Sequence, residues 1–298
     1  MVDPAVVDIN TQLDNGVAGA GTGMVLTSDG LVLTNNHVIA DAITITAQVD
    51  GSGPLYQGDV IGYDIKDDVA VVKLRDASNL ATVSTAASSQ VKVNDRVVAL
   101  GNALGQGGTP AVAPGSVTQL DQTLTVGDAS GQHQETLSGL IEVNVSLQPG
   151  DSGGPLLNLD AKVIGMNTAA VVSSSGQAGD LGYAIPIDDA LAIAGNIADG
   201  TTAAHIHIGD RAMLGAQIDL VGPGAHILSV RPGGPAALAG MAAGDTILSV
   251  DTAPVADGDG VRAALDPYHP GDNVTITWED SSGTSHHADA TLIAGPPA

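Results

Sequence analysis

From about residue 5 to residue 186 the chain is a succession of short β-branched runs separated by Gly, Asp and Asn. Gly23-Met24-Val25-Leu26, Ala42-Ile43-Thr44-Ile45-Thr46 and Arg96-Val97-Val98-Ala99-Leu100 are such runs, with the residue types and turn spacing of strands. Repeated over this length, they point to an all-β barrel architecture, with 39 Gly and 15 Pro available for the turns. The pattern changes after Pro186. There Asp188 and Asp189 can cap a helix that carries Leu191, Ala194 and Ile197 at helical spacing and stops at Gly200. Gly200-Thr201-Thr202-Ala203-Ala204 reads as a linker, so two domains are expected, 1–200 and 201–298. The second shows a strand at Ala225 to Val230, an alanine-rich helix from Pro235 with glycine stops and a strand at Ile247 to Val250, which fits a small α+β module.

Composition narrows the function classes. Hydrophobic residues make up 43% and charged residues 14%, a balance expected of a soluble globular protein. The absence of cysteine excludes disulfides and thiol chemistry. No apolar run approaches the roughly 20 residues that a helical membrane span needs. The chain shows no positively charged leader ahead of an apolar stretch, so either a mature form or a protein that is never exported is expected. Its formal net charge is −24, with 33 acidic residues of which all but Glu135, Glu142 and Glu279 are aspartates. Such a field disfavours nucleic acid and anionic membrane; it suits solubility and can attract cationic polypeptides. Asp257-Gly258-Asp259-Gly260 hints at calcium but lacks the further acidic ligands of an EF-hand loop. His205-x-His207 on a strand, without a nearby cluster, reads as surface and not as a metal site, and no cofactor is expected.

The chemistry-bearing segment is Gly150-Asp151-Ser152-Gly153-Gly154-Pro155. A serine hydroxyl becomes nucleophilic when a base takes its proton, and the oxyanion it creates needs preorganised donors. Glycines around Ser152 let the main chain turn tightly and bring amides of Gly150, Asp151 and Ser152 towards a substrate carbonyl. Gly150-x-Ser152-x-Gly154 also satisfies the nucleophile-elbow pattern of α/β-hydrolases, where a helix follows the serine. Here Pro155-Leu156-Leu157 and Val163-Ile164-Gly165-Met166 follow as two short strands around a turn, which excludes the elbow. An idle hairpin turn stays open unless a base and an acid are found. The base candidate is His37, in Thr34-Asn35-Asn36-His37-Val38. The acid candidate is Asp68, which opens the apolar run from Val69, with Asp67 as its neighbouring competitor. A buried carboxylate there can fix the imidazole tautomer. The chain order His37, Asp68, Ser152 is that of the chymotrypsin fold.

These motifs, together with Gly101-Asn102, Gly165-Met166-Asn167-Thr168-Ala169 and Gly182-Tyr183-Ala184-Ile185-Pro186, resemble the HtrA/DegP family of PDZ-bearing serine proteases. The likeness spans nearly the whole chain and is nearest the secreted actinobacterial branch, the mycobacterial PepA type, which also has a counterpart of Gly105 to Pro110. The resemblance implies a mainly β protein, a chymotrypsin-like double six-stranded β-barrel protease domain followed by a PDZ domain. It implies a serine endopeptidase of unfolded or damaged polypeptides that needs no metal and works outside the cytoplasm, secreted or in the cell envelope. On the PDZ model Met213, Leu214, Gly215 and Ala216 form the loop that captures a peptide C-terminal carboxylate, and Val261 to Leu265 lie on the helix flanking the groove. At least one of Met213 and Leu214 is expected in the core, because alternate strand residues face opposite sides. The trypsin fold puts the residue six before the nucleophile at the floor of the specificity pocket. That residue is Ser146, beside Leu147, and with Thr168, Ala169 and Ala170 as wall it implies cleavage after small or medium aliphatic residues.

The chain also departs from its family. Asp151 stands where many members have Asn, and no Ile-Val-Gly-Gly-like start is present to serve zymogen activation. The stretch from Ala103 to Gly139 is the better candidate for loops that switch the site. Family trimers use aromatic residues near the N terminus, yet this chain has no Phe and its first aromatic is Tyr56, so homo-oligomerisation is left open. The competing reading is a chaperone-like or scaffold protein whose peptide groove does the work while the protease site stays latent.

Overall fold

The computed structural model of the protein describes residues 5–13, 16–127, 134–172, 178–201, 203, 205–219 and 224–297. The chain divides into two compact units, Met1–Ile208 with the terminal Pro297–Ala298, and Gly209–Pro296.

The first unit holds two barrels. In the first, β1 (Val6–Leu13), β2 (Ala18–Val25), β3 (Leu31–Thr34), β4 (Ala42–Val49), β5 (Leu55–Asp64) and β6 (Val69–Leu74) pair antiparallel in the order β5-β4-β1-β2-β3-β6, and β6 pairs back onto β5. A single helical turn, α1 (Asn36–Ile39), follows β3. The second barrel closes through β7 (Arg96–Gly101), β8 (Ala111–Gly127), β9 (Gln134–Val143), β10 (Pro155–Leu157), β11 (Val163–Val172) and β12 (Ala178–Pro186), with β10 paired to β7. The two six-stranded barrels are those expected.

Successive residues of one strand serve different cores. Val7, Ile9, Val32 and Val72 fill the first barrel, while their neighbours Val6, Leu33 and Val71 join Leu100, Leu157 and Met166 of the second barrel in a separate cluster. A strand buried on both faces must be apolar at every position, which is why Val69-Ala70-Val71-Val72 does not alternate. The helix α2 (Ile187–Ala198) covers this cluster with Ile187, Ala190, Ala194 and Ile197. Its cap is Pro186. Asp188 and Asp189, expected as caps, lie in the first turn, where their charge suits the helix dipole, and Asp188 accepts the Ser88 amide at 2.9 Å.

Three further sequence readings change. The strand β13 (Ile206–Ile208) pairs antiparallel with Gly62–Asp64 of β5, so the first unit continues past the boundary expected at residue 200. His207 is not at the surface: it is buried and stacks on Tyr63, ring centroids 5.2 Å apart. The stretch from Ala103 to Gly139 is mostly the β8–β9 ladder, leaving Ala103 to Pro110 as a loop; residues 128–133 and parts of the expected linker lie outside the described residues.

The second unit is α+β, as expected. It contains β14 (Arg211–Met213), β15 (Ala216–Ile218), β16 (Ala225–Val230), α3 (Pro235–Ala239), β17 (Thr246–Val250), β18 (Ala253–Pro254), α4 (Gly258–Leu265), β19 (Asn273–Glu279), β20 (Ser285–Thr291) and β21 (Ile293–Gly295). The sheet runs β15-β16-β17-β19-β20, so β15 is an edge strand. Ile227, Ile247, Ile276 and Trp278 form its core with Leu214, Val261 and Leu265. Asp257 caps α4 by accepting the Gly260 amide at 2.7 Å, which gives the Asp257 to Gly260 motif a structural role.

Candidate active site

The three sequence-predicted catalytic residues lie where the barrels abut, His37 bonded to Asp68 and Ser152 linked to Asp68 through Thr168. His37 lies on α1, and its Nδ1 is 2.9 Å from Oδ2 and 3.1 Å from Oδ1 of Asp68. Its backbone amide also donates to Asp68 Oδ1 at 3.0 Å. This contact assigns the Nδ1–H tautomer and leaves the lone pair on Nε2, the arrangement a general base needs. Asp68 is buried and has φ of 52°, a left-handed conformation that Asp tolerates better than most residues. Asn35 Nδ2 holds its carbonyl at 2.9 Å. The competitor Asp67 is exposed, and it is Asp68 that bonds His37.

A residue of the other barrel completes the link. Thr168, on β11, donates its hydroxyl to Asp68 Oδ2 at 2.6 Å, and its carbonyl accepts the Ser152 hydroxyl at 3.1 Å. Expected in a pocket wall, Thr168 bonds both Asp68 and Ser152 and is itself buried.

The nucleophile loop is tied from both barrels. Gly150 has φ of 99°, and a side chain there would stand 2.2 Å from the Asn102 carbonyl; one on Gly153, at φ of 84°, would stand 2.1 Å from the Thr22 carbonyl. Only glycine combines those torsions with that proximity. The Thr22 hydroxyl donates to Gly150 O at 2.7 Å and accepts the Asn102 amide at 2.8 Å, while Thr22 N donates to Ser152 O at 2.8 Å. From the other side, Leu104 N donates to Pro149 O at 2.6 Å and Gly153 N to Asn167 O at 2.8 Å. Neither the Gly150 nor the Ser152 amide has a protein acceptor among the described residues. The Asp151 amide, expected as a third oxyanion donor, is engaged with Gln148 O at 3.0 Å. Asp151 folds its carboxylate beneath the loop onto the Gln148 amide at 2.8 Å, and burial pushes that carboxyl up against the lowering effect of this bond.

The expected pocket residues divide. Ser146 is exposed and accepts a long bond from Gln148 Nε2 at 3.4 Å. Leu147 is no pocket residue: it is buried in the second barrel's core, because Gly182 leaves room for it. Ala169 and Ala170 pair with Tyr183 and Gly182 through their backbones; their side chains lie outside the described residues. The residues that sequence reasoning missed are Thr22 and the Leu104 amide, and the hydroxyl role of Thr168. Their only signal was Gly on both sides of Thr22, which permits close approach but names no partner.

In the second unit, Met213 ends β14 half-buried, Leu214 is buried, and Ala216 begins the edge strand. Gly215 between them has φ of 73°. Among the described residues the Leu214 and Gly215 amides have no protein acceptor. Val261 and Leu265, expected to flank a groove, are core residues at 1% and 6% exposure.

A model of the trypsin-like peptidase domain matches residues 21–166, and one of the PDZ domain matches 226–280. Serine protease PepD of Mycobacterium tuberculosis is 35% identical over 311 residues, covering 98% of this chain and 64% of PepD. The chain belongs to the HtrA family. The periplasmic pH-dependent serine endoprotease DegQ of Escherichia coli, 33% identical over 268 residues, covers 87% of this HtrA chain and 56% of its own length. Among solved structures, the HtrA-type protease AlgW with tripeptide superposes with a TM-score of 0.59 at 26% identity, spanning 100% of this chain and 96% of that one. The chain spans less than two thirds of the length of these curated HtrA relatives.

Proposed function

We propose that the protein is a serine endopeptidase that hydrolyses unfolded or damaged polypeptides outside the cytoplasm. The observation that carries this is the single connected path from His37 through Asp68 and Thr168 to Ser152. Ser152 Oγ turns from the Thr168 carbonyl to attack a peptide carbonyl, and His37 Nε2 takes its proton. Asp68 stabilises the resulting imidazolium without itself taking the proton. The Gly150 and Ser152 amides receive the oxyanion, and a donor of this kind is worth about 10²–10³ in rate. The imidazolium then protonates the leaving amine, and water, deprotonated by the same nitrogen, releases the acyl group. An uncharged Ser146 near the pocket floor favours small or medium aliphatic P1 residues.

The second unit binds peptide C-termini. The unengaged Leu214 and Gly215 amides offer a site for the carboxylate, and β15 leaves a sheet edge to which an extended peptide adds as a strand. A latent, scaffold-like protein is the second reading; it draws on the resting Ser152 hydroxyl, which is committed to Thr168 O. Turnover of an unfolded model substrate, with and without a C-terminal peptide, separates the two. An organophosphonate should label the parent protein and not Ser152→Ala; labelling that persists in the variant refutes the assignment.

A further inference from the structure

Asp8 is a buried titratable group that this mechanism does not use. It sits in β1 at 1% exposure, and among the described residues neither of its carboxylate oxygens has a hydrogen-bond partner. Val7 and Ile9 on either side face the interior of the first barrel, whereas Val6 packs with Leu100 and Leu157 of the second. Strand alternation therefore turns Asp8 towards the second barrel. What it meets there is the Asn102 to Gly108 loop: a side chain on Gly107 would lie 3.7 Å from Asp8 Oδ2.

The other end of that loop holds the oxyanion site. Gly107 N donates to Asn102 Oδ1 at 2.8 Å, Asn102 N donates to the Thr22 hydroxyl, and Thr22, directly opposite Asp8 in the β1–β2 ladder, donates to Gly150 O. Leu104 N fixes Pro149 O at 2.6 Å. In a trans peptide the carbonyl and the following N–H point in opposite directions, so fixing Pro149 O also aims the Gly150 amide.

The surroundings of Asp8 make its charge expensive. Val6, Val7, Ile9 and Asn10 on its own strand, Gly21 to Met24 on β2, Gln48 on β4 and Asn102 to Gly108 contribute no titratable side chain. The turn after β4 brings Asp50, a like charge. No cation stands among these residues. Burial first, and Asp50 second, push the Asp8 carboxyl up to about 6. A neutral acid fits a dry pocket; a carboxylate with no donor requires water, and the segment above it is rich in glycine and able to yield.

We propose that Asp8 is a positioning residue for the oxyanion site: as a neutral acid it lets the Asn102 to Gly108 loop seat and aim the Gly150 amide, and as a carboxylate it draws water beneath the loop and releases that aim. This rests on the endopeptidase reading for its catalytic consequence. At neutral pH the resting site is then held back, and proton uptake by Asp8 seats it.

The test uses the full chain. Between pH 5 and 8 the ratio of kcat for Asp8→Asn to kcat for the parent should climb from near one to on the order of tenfold, with its midpoint near the Asp8 titration and KM little changed, because only transition-state stabilisation is affected. Taking the ratio cancels the ionisation of His37 common to both. In the inactive Ser152→Ala background, the NMR shifts of the Gly107 and Gly150 amides should titrate with the same midpoint and become flat when Asp8→Asn is added. A flat kcat ratio, or amides in the Ser152→Ala protein that do not titrate, overturns the proposal. So does a titration abolished by bound calcium, which would make the pocket a cation site. Intact amide titration in a protein family of variants whose parent shows no turnover would instead support the Asp8 coupling while removing the endopeptidase reading.

Discussion

Thr168 shows how much one hydroxyl decides. Its donation to Asp68 fixes the carboxylate that orients His37, and its carbonyl sets the resting rotamer of Ser152. A hydrogen bond to a charged group is worth about 1.5–3 kcal/mol, so Thr168→Val should lower kcat/KM about tenfold to a hundredfold on a chromogenic peptide. Thr168→Ser, which keeps the hydroxyl, should recover most of the loss. Asp151 makes a different prediction. Its carboxyl is raised by burial in the folded state, so the folded protein holds that proton more tightly than the unfolded chain. Its contribution to stability is therefore greatest below the unfolded carboxylate value and is lost as pH rises through the raised folded value. Asp151→Asn should leave the melting temperature unchanged in acid and raise it at pH 8; equal shifts at both pH values would show that its burial is not the cause. Neither role was legible in the sequence, because Asp68 and Thr168 are 100 positions apart and belong to different barrels.

The elements carry the peptide-binding prediction. The edge strand β15 and the loop before it depend on Gly215 at positive φ. In the full chain, Gly215→Val should weaken binding of a fluorescent C-terminal peptide at least about tenfold through backbone strain at that position, while cleavage of a short peptide by the first unit keeps its rate. Helix α2 offers a contrasting change: Ile197→Ala opens a cavity among buried neighbours and should cost about 2–5 kcal/mol by thermal unfolding. Most strands were readable from turn residues and β-branched runs. The length of the β8–β9 hairpin and the pairing of β13 with β5 were not. Ile206-His207-Ile208 joins the first unit because β5 presents an unpaired edge to it, and that edge has no local signal in residues 206–208.

Across the molecule, the net charge of −24 predicts how substrates arrive. The kcat/KM for cationic unfolded polypeptides should fall as salt rises from low ionic strength to about 0.15 M, where the Debye length is near 8 Å, while that for a neutral peptide stays level. Equal salt dependence for both would remove charge attraction as a factor. Profiling with a peptide library should return aliphatic P1 residues; dominance of Arg or Lys would contradict the uncharged Ser146.

The candidates His37, Asp68 with Asp67 beside it, and Ser152, their chain order, the all-β barrel pattern and the second α+β unit follow from residue types and their spacing, since turns, strand runs and motif order are local properties; the pair of six-stranded barrels was implied by the family resemblance. Choosing Asp68 over Asp67, sending Leu147 into the core, withdrawing the Asp151 amide and making Thr22, Leu104 and Thr168 the ties of the site required the fold. Each depends on which side of a strand or turn faces the other barrel. Burial and hydrogen-bond partners come from chain segments that meet only when both barrels have closed.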